Sequence, residues 1–144
     1  MLKRFSLILF VFCVVLSFAG CKSHTDVTTE STGRIYNDTD GEEQEVLIST
    51  SADSGDTVVI SKDGREFTLD CRGLVTGRNA YVFIDGDIDN PLTEFSVATE
   101  HTTLQLQAPK DRLSAEKHTV QVVQFNGKKV PYCRTVYYSV RDSK

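Results

Sequence analysis

From Thr57 onward the chain consists of short runs of β-branched and aromatic residues, most of them followed by glycine, proline, asparagine or aspartate. Such runs are typical of strands, and no stretch of comparable length has the period of an amphipathic helix. The pattern indicates an all-β domain over residues 57–144, built as an antiparallel sandwich or barrel. We predict about seven strands, at residues 57–61, 66–71, 80–84, 94–98, 103–108, 118–125 and 131–140.

Two dipeptides predict tight turns between neighbouring strands. Asp63-Gly64 separates the first two predicted strands, and Asn126-Gly127 separates the last two. Asp-Gly and Asn-Gly supply the positive φ angles that two-residue hairpin turns require. We therefore expect an antiparallel hairpin at each position.

The first twenty residues have the organisation of an export signal. Lys3 and Arg4 give a basic start, and residues 7–16 form an unbroken apolar run. A helix of that length rises about 15 Å, roughly half the thickness of the hydrocarbon core of a bilayer. We therefore predict a cleaved signal peptide over residues 1–20. The alternative is a retained N-terminal membrane anchor.

The end of this segment, Phe18-Ala19-Gly20-Cys21, resembles the lipobox of bacterial lipoproteins. The resemblance implies cleavage before Cys21 and lipidation of that cysteine with acyl chains such as palmitate, which anchor the chain to a membrane outside the cytoplasm. Phe18 departs from the lipobox, where leucine is usual. In a Gram-negative cell, Lys22 in place of aspartate would favour the outer membrane. The alternative is ordinary signal-peptide cleavage that leaves Cys21 free.

The chain between the signal and the predicted domain is acidic and polar. Residues 22–56 hold nine acidic and two basic residues, whereas residues 57–144 hold eleven acidic and twelve basic ones. The stretch 22–45 has too few apolar residues to bury a core. We predict a flexible tether over residues 21–56, within which residues 46–48 could form a short edge strand. Nucleic acid is not an expected partner, because neither part has the strong excess of basic residues that nucleic-acid binding requires.

Four cysteines are present, and two remain after the predicted processing. Cys13 lies in the signal peptide and Cys21 is the predicted lipid site. An even pair in an oxidising compartment favours a disulfide between Cys71 and Cys133. Closing a loop of that length would stabilise the domain by about 4 kcal/mol. The alternative is two free buried thiols.

The stretch from Leu113 to Tyr138 resembles the last two strands of bacterial immunoglobulin-like (Ig-like) domains. In those domains a leucine, a short polar corner and a strand that begins like KHTV, here at 117–120, precede the final hairpin. The resemblance covers residues 57–140 and implies a single Ig-like β-sandwich of about seven strands. The chain contains no tryptophan, so it lacks the buried tryptophan of antibody-type domains. Its cysteines fall in the second and seventh predicted strands, whereas antibody domains bridge the second and sixth.

The densest acidic motif has carboxylates at alternate positions, on Asp85, Asp87 and Asp89. Ca²⁺ binds six to eight oxygen atoms, and alternate carboxylates are what a calcium loop provides. The EF-hand pattern also requires glycine and glutamate where this chain has Asn90 and Ser96. Two interpretations remain open, a calcium site at these three aspartates and a solvated turn between strands.

No motif predicts catalysis. His101 and His118 stand alone in sequence, although folding could bring either one near a serine or a carboxylate. No serine lies in a nucleophile-elbow motif. We therefore expect neither an enzyme nor a cofactor. The aromatic residues are expected to fill the core, with sugar stacking as the alternative.

A basic end of the domain follows from the Ig-like topology. In such a sandwich the loop between the second and third strands lies beside the loop between the sixth and seventh. Here those loops are residues 72–79 and 126–129, joined by the turn near Glu100. A basic end attracts anionic partners; the alternative is solvated turn residues kept for solubility. We predict a ligand site at the four bases of the two loops, Arg72, Arg78, Lys128 and Lys129.

These features predict a membrane-anchored lipoprotein whose Ig-like module binds a protein or an anionic envelope polymer without catalysis. The alternative function is a structural accessory subunit of a cell-envelope assembly.

Overall fold

The computed structural model describes residues 38–40 and 43–142. The predicted signal peptide, Cys21 and the tether up to residue 37 lie outside these residues. The described residues contain no helix that could span a membrane. Their strands are β1 (Glu45–Ser49), β2 (Ser54–Gly55), β3 (Thr57–Ser61), β4 (Glu66–Arg72), β5 (Asn79–Ile84), β6 (Thr93–Ser96), β7 (His101–Gln107), β8 (Lys117–Asn126) and β9 (Lys129–Arg141).

The strands form two sheets that enclose a common apolar core, which confirms the all-β prediction. One sheet has four strands in the order β2-β1-β4-β7, and the other has five in the order β3-β9-β8-β5-β6. Every pair is antiparallel except β3 with β9, which is parallel. The prediction of a purely antiparallel sandwich is therefore wrong at this pair. β3 and β9 lie far apart in sequence, so no short turn imposes an antiparallel direction on them.

The predicted tether boundary at residue 56 is also wrong, because the folded domain includes β1 and β2. In the register of β1 with β4, Val46 lies opposite Cys71 and Ile48 opposite Leu69. Val46 and Ile48 are both buried in the core. The three apolar residues of β1 are surrounded by polar sequence, so the composition of the stretch did not indicate a buried strand.

The two predicted hairpins have different outcomes. Asn126-Gly127 joins β8 and β9 as expected, with Gly127 at a φ of 59°. Asp63-Gly64 instead joins β3 to β4, which lie in different sheets. Its turn is held by the N–H of Gly64, which donates to Oγ of Ser61 at 2.8 Å. The Asp-Gly signal thus located the turn correctly but not the partner of each strand.

Alternate residues of β9 face opposite sides of the five-stranded sheet. Tyr132, Val136 and Tyr138 belong to the core between the sheets. The hydroxyl of Tyr132 lies 3.0 Å from the backbone oxygens of both Glu45 and Arg72, which belong to the four-stranded sheet. The Tyr132 hydroxyl therefore connects the two sheets near the ends of β1 and β4 where Glu45 and Arg72 are paired.

The predicted disulfide is absent, because Cys71 and Cys133 are both free, buried thiols. Cys71 belongs to the core between the sheets. Cys133 packs with Phe83 and Val123 in a separate cluster on the outward face of the five-stranded sheet. Its odd position in β9 places it on the face opposite Tyr132, so that sheet lies between the two sulfur atoms.

Candidate functional site

Three loops meet at one end of the sandwich, as the sequence predicted. They are residues 73–78 after β4, residues 97–100 after β6 and residues 127–128 after β8. The N–H of Leu74 donates to the carbonyl of Glu100 at 3.1 Å, and the N–H of Gly77 donates to that of Val97 at 2.9 Å. These three loops and the strand residues adjoining them are called the tip below.

Gln124 holds the first tip loop against β8. Its side chain is fully buried. Its Oε1 accepts from the N–H of Val75 at 2.8 Å, and its Nε2 donates to the carbonyl of the same residue at 3.0 Å. The buried amide thus satisfies both backbone groups of Val75 and limits the movement of the loop. The sequence shows a glutamine in an apolar strand but does not show that Val75 is its partner.

The four bases predicted as a ligand site all lie at the tip, but their charges are not equally available. Arg72 lies 3.3 Å from a carboxylate oxygen of Asp70 and 4.0 Å from one of Glu45. The positive charge of Arg72 is therefore compensated by two carboxylates of the same sheet. The other three form no ion pair with any residue that the structure describes. The positive charge of the tip thus rests on Arg78, Lys128 and Lys129.

Asp85 begins the acidic turn at the opposite end of the domain, and its carboxylate is fully engaged. One oxygen accepts from the N–H of Thr119 at 2.9 Å. The other lies 2.7 Å from Nδ1 of His118 and 4.0 Å from Arg112. Asp85 therefore ties the turn to the start of β8.

The calcium prediction for this turn is contradicted. Asp87 lies 3.3 Å from Arg112 and accepts from the amide of Asn90 at 3.1 Å. Asp89 is exposed. Within residues 38–40 and 43–142, no group of three or more His, Cys, Asp or Glu side chains could hold a metal ion. The carboxylates of Asp85 and Asp87 thus face Arg112 and do not converge on a common cation position.

A serine, a histidine and an aspartate lie in line at this end, which the sequence did not predict. Oγ of Ser114 lies 3.1 Å from Nε2 of His118, whose Nδ1 contacts Asp85. This order of groups is that of a hydrolase triad. The signal available in the sequence was the spacing of Ser114 and His118, but Asp85 is distant and could not be assigned.

The surroundings of this row indicate a structural role. The His118 ring is buried and stacks on Tyr138, with ring centroids 4.9 Å apart. Nε2 of His118 also lies 3.3 Å from the carbonyl of Ser114, so both polar groups of Ser114 face this nitrogen. The imidazole of His118 therefore connects Asp85 in the turn, Ser114 in the segment before β8 and Tyr138 in the core.

A cavity of about 860 Å³ opens near the same end, between the ends of β1, β3, β4 and β7. Its lining is largely polar and includes Ser49, Glu66, Gln105 and Gln107. Neither the row at His118 nor any of the tip bases contributes to it. The row therefore does not open into this cavity.

Comparisons with protein-family models, with curated proteins and with solved structures find no match for this chain. The functional assignment therefore depends on the residues and geometry described above.

Proposed function

We propose that the chain is a cell-envelope lipoprotein, anchored through Cys21, whose Ig-like module binds an anionic partner at its tip without catalysing a reaction. The partner is a protein with an acidic surface or an anionic envelope polymer. The observation that carries the proposal is the convergence of three loops at one end, where Arg78, Lys128 and Lys129 have no acidic partner among the described residues.

The arrangement of strands supports the Ig-like assignment. β1, β4 and β7 share one sheet, as strands A, B and E do in an Ig-like sandwich, and β5, β8 and β9 share the other, as strands C, F and G do. β6 extends the second sheet beside β5, as strand C′ does in variable-type domains. The tip then corresponds to the end of the sandwich that carries the binding loops of variable domains.

The described part of the incoming chain runs along the edge of β9. The hydroxyl of Thr135 donates to Asp38 at 2.8 Å, and the N–H of Thr39 donates to the carbonyl of Cys133 at 3.1 Å. Because β9 starts at the tip, residues 38–40 run towards the tip from the middle of the sheet. Glu43 and Gln44 then lie close to Gly73 of the first tip loop, before β1 begins.

Arg78, Lys128 and Lys129 act mainly on the rate at which the tip associates with an anionic partner. They attract an anionic surface before contact, and the attraction weakens as salt shortens the Debye length. The loops are held by backbone hydrogen bonds and by Gln124, so little conformational freedom is lost on binding.

The test removes the positive charge of the tip by replacing Arg78, Lys128 and Lys129 with Ser. A control variant of equal charge change carries Ser at three bases of the opposite end, namely Lys62, Lys110 and Arg141. Association with immobilised poly-glutamate and with immobilised teichoic acid is measured at low and at physiological salt. We expect the tip variant to associate about tenfold more slowly at low salt and the control to keep its rate. Equal losses in the two variants would mean that net charge alone acts and that the tip is not the site.

A further inference from the structure

The edge strand β7 leaves a row of backbone groups without partners in the part of the chain that the structure describes. β7 pairs with β4 on one side and is the last strand of the four-stranded sheet on the other. The N–H of Ala108 donates to the carbonyl of Arg65 at 2.8 Å, which extends the register of the two strands by one pair. Because hydrogen-bonded pairs alternate in an antiparallel ladder, Thr103, Gln105 and Gln107 direct their N–H and C=O groups away from β4.

This row forms a sheet edge without the usual protection. Exposed edges commonly carry charged residues, proline or a bulge that discourages further pairing. β7 keeps a regular register with β4 and contains no lysine, arginine, aspartate, glutamate or proline. The carbonyl of His101 has the same orientation as the row but accepts from Oγ1 of Thr99 at 2.6 Å, so the free edge ends there. The remaining groups are suited to accept another strand.

The space beside β7 lies over the inner face of β6. β1 contacts β9 across the core. From that contact towards β7, the four-stranded sheet continues with β4 and β7, whereas the five-stranded sheet continues with β8, β5 and β6. Among the described strands, β6 therefore has none opposite it. The five-stranded sheet is wider by one strand on this side.

Apolar side chains along this space are incompletely covered. Phe95 of β6 lies opposite Ala80 of β5, so it shares the face of that core residue. Leu104 and Leu106 of β7 lie opposite Leu69 and Phe67 of β4 and face the core from the other sheet. Phe95, Leu104 and Leu106 pack against the core but are only partly buried. One further strand beside β7 would complete their burial.

The size of the edge and the layers around it favour a single peptide segment over a second copy of the chain. The seven residues of β7 extend about 24 Å. A stable subunit interface buries about 800 Å² on each partner, with about 20–30 residues a side. A second copy joined through its own β7 would also bring its five-stranded sheet into the layer that β6 occupies. An extended segment has no second layer and avoids that obstruction.

We propose that β7 is a docking edge for an extended segment of a partner protein, which adds to the four-stranded sheet and covers Phe95, Leu104 and Leu106. Strand addition of this kind takes affinity from main-chain hydrogen bonds and specificity from alternate side chains. The segment runs antiparallel to β7, because parallel pairing is less stable per residue. The edge contains none of the tip bases, so this proposal does not depend on the function proposed above.

The register specifies the chemistry of the segment. Its residues opposite Thr103, Gln105 and Gln107 share their outward face, and the residues between them share the face of the β7 leucines. On the outward face the neighbouring β7 side chains are uncharged, and the nearby carboxylate of Glu66 already accepts from Nε2 of Gln107 at 3.2 Å. The segment that fits is therefore uncharged, with apolar residues alternating with threonine-like polar ones.

The first experiment measures the binding of the peptide TVTVTVT to the full chain by fluorescence anisotropy, with the label on a hydrophilic linker. Two N-methylated forms are compared with it. Methylation of the threonine nitrogens removes the donors that face β7, whereas methylation of the valine nitrogens removes those that face solvent. We expect the threonine-methylated form to bind at least about tenfold more weakly than the other two. Equal affinities of the three forms, or no binding up to about 1 mM, would overturn the proposal.

A matched pair of variants tests the edge from the side of the protein. Gln105→Pro removes the central N–H of the row, which β4 does not use, and proline is tolerated at such edge positions. Gln105→Ala keeps the N–H and is the control. We expect the proline variant to bind the peptide at least about tenfold more weakly and the alanine variant to bind it unchanged. Equal affinities of the two variants would contradict pairing at this edge.

Hydrogen exchange of the unchanged chain keeps the proposal testable if the proline variant unfolds. Bound peptide should slow the exchange of the N–H groups of Thr103, Gln105 and Gln107, and should change little at the residues between them, which already bond to β4. Slowed exchange confined to other strands would overturn the proposal. A dimer of the chain alone in ultracentrifugation, abolished by Gln105→Pro, would assign the edge to a second copy and would also overturn it.

Discussion

Nδ1 of His118 lies 2.7 Å from a carboxylate oxygen of Asp85, and this pair joins the turn after β5 to the first residues of β8. Asp85 has a φ of 52°, in the left-handed region that non-glycine residues rarely adopt. The other oxygen of the carboxylate accepts from the N–H of Thr119, and the His118 ring stacks on Tyr138. The turn is thus held in an unfavourable backbone conformation by contacts with both the strand and the core.

Replacing Asp85 with Ala should lower the free energy of unfolding by about 2–3 kcal/mol. The change removes a charge-assisted bond to a buried imidazole and leaves alanine at a positive φ. Asp89→Ala is the control, because Asp89 is exposed in the same turn and should cost less than about 0.5 kcal/mol. Urea unfolding at neutral pH measures both values. Similar losses for the two variants would contradict the role assigned to the Asp85–His118 pair.

Replacing Tyr132 with Phe should cost about 1–3 kcal/mol, because the carbonyls of Glu45 and Arg72 lose the hydroxyl of the fully buried Tyr132 side chain as their shared donor. Tyr137→Phe is a matched control, since Tyr137 is only partly buried on the outward face. The comparison uses urea unfolding of both variants. A loss at Tyr132 no larger than at Tyr137 would show that its hydroxyl does not connect the sheets.

Stability should fall in alkaline solution because of the two buried thiols. Burial raises their pKa from 9.0 to about 12, so the folded state retains the protons that the unfolded state releases. Their contribution is complete below pH 9 and is lost as the pH rises from about 9 to about 12. Each thiol lowers the free energy of unfolding by about 1.4 kcal/mol per pH unit in this range. Urea unfolding in reducing buffer at pH 8 to about 11 measures the slope.

A Cys71→Ala/Cys133→Ala variant serves as the comparison for that slope. It should be less stable at neutral pH, because two buried side chains are shortened. Its stability should nevertheless decline less steeply between about pH 9 and pH 10, below the ordinary pKa of tyrosine. An unchanged slope would mean that the thiols do not carry the alkaline dependence.

The free state of the cysteines has a direct chemical test. When the unreduced chain is unfolded in the presence of iodoacetamide, both Cys71 and Cys133 should be alkylated, because the two lie on opposite sides of the five-stranded sheet. Peptide mass spectrometry identifies each modified site. A Cys71–Cys133 crosslinked peptide, which disappears on reduction, would contradict the position of Cys133 in β9.

Alternation of polarity predicted β4 from the sequence. β4 alternates buried and partly exposed residues from Phe67 to Cys71, so its existence and its faces follow from local pattern alone. β1 was less visible because it is short and lies in acidic sequence. The parallel pairing of β3 with β9 was not predictable, because strand partners depend on the path between the sheets and not on either strand.

The same distinction applies to the candidate site. The convergence of the tip loops could be predicted, because it follows from the order of strands and from the position of turns such as Asn126-Gly127. Two side-chain contacts could not be predicted, namely the ion pair of Arg72 with Asp70 and the hydrogen bonds of Gln124 with Val75. Each of them depends on the direction in which a side chain points. The disulfide prediction failed for a related reason, as an even number of cysteines does not specify the face on which Cys133 lies.

The central claim, that this domain is carried on a lipid anchor, is tested most directly by the mass of the mature chain produced in bacteria. We expect an N-terminal peptide that begins at Cys21 and carries a diacylglyceryl group with a further acyl chain. A Cys21→Ser variant should remain as an unprocessed precursor that incorporates no labelled fatty acid. A mature chain that begins at Cys21 without lipid, or at any other residue, would contradict the account.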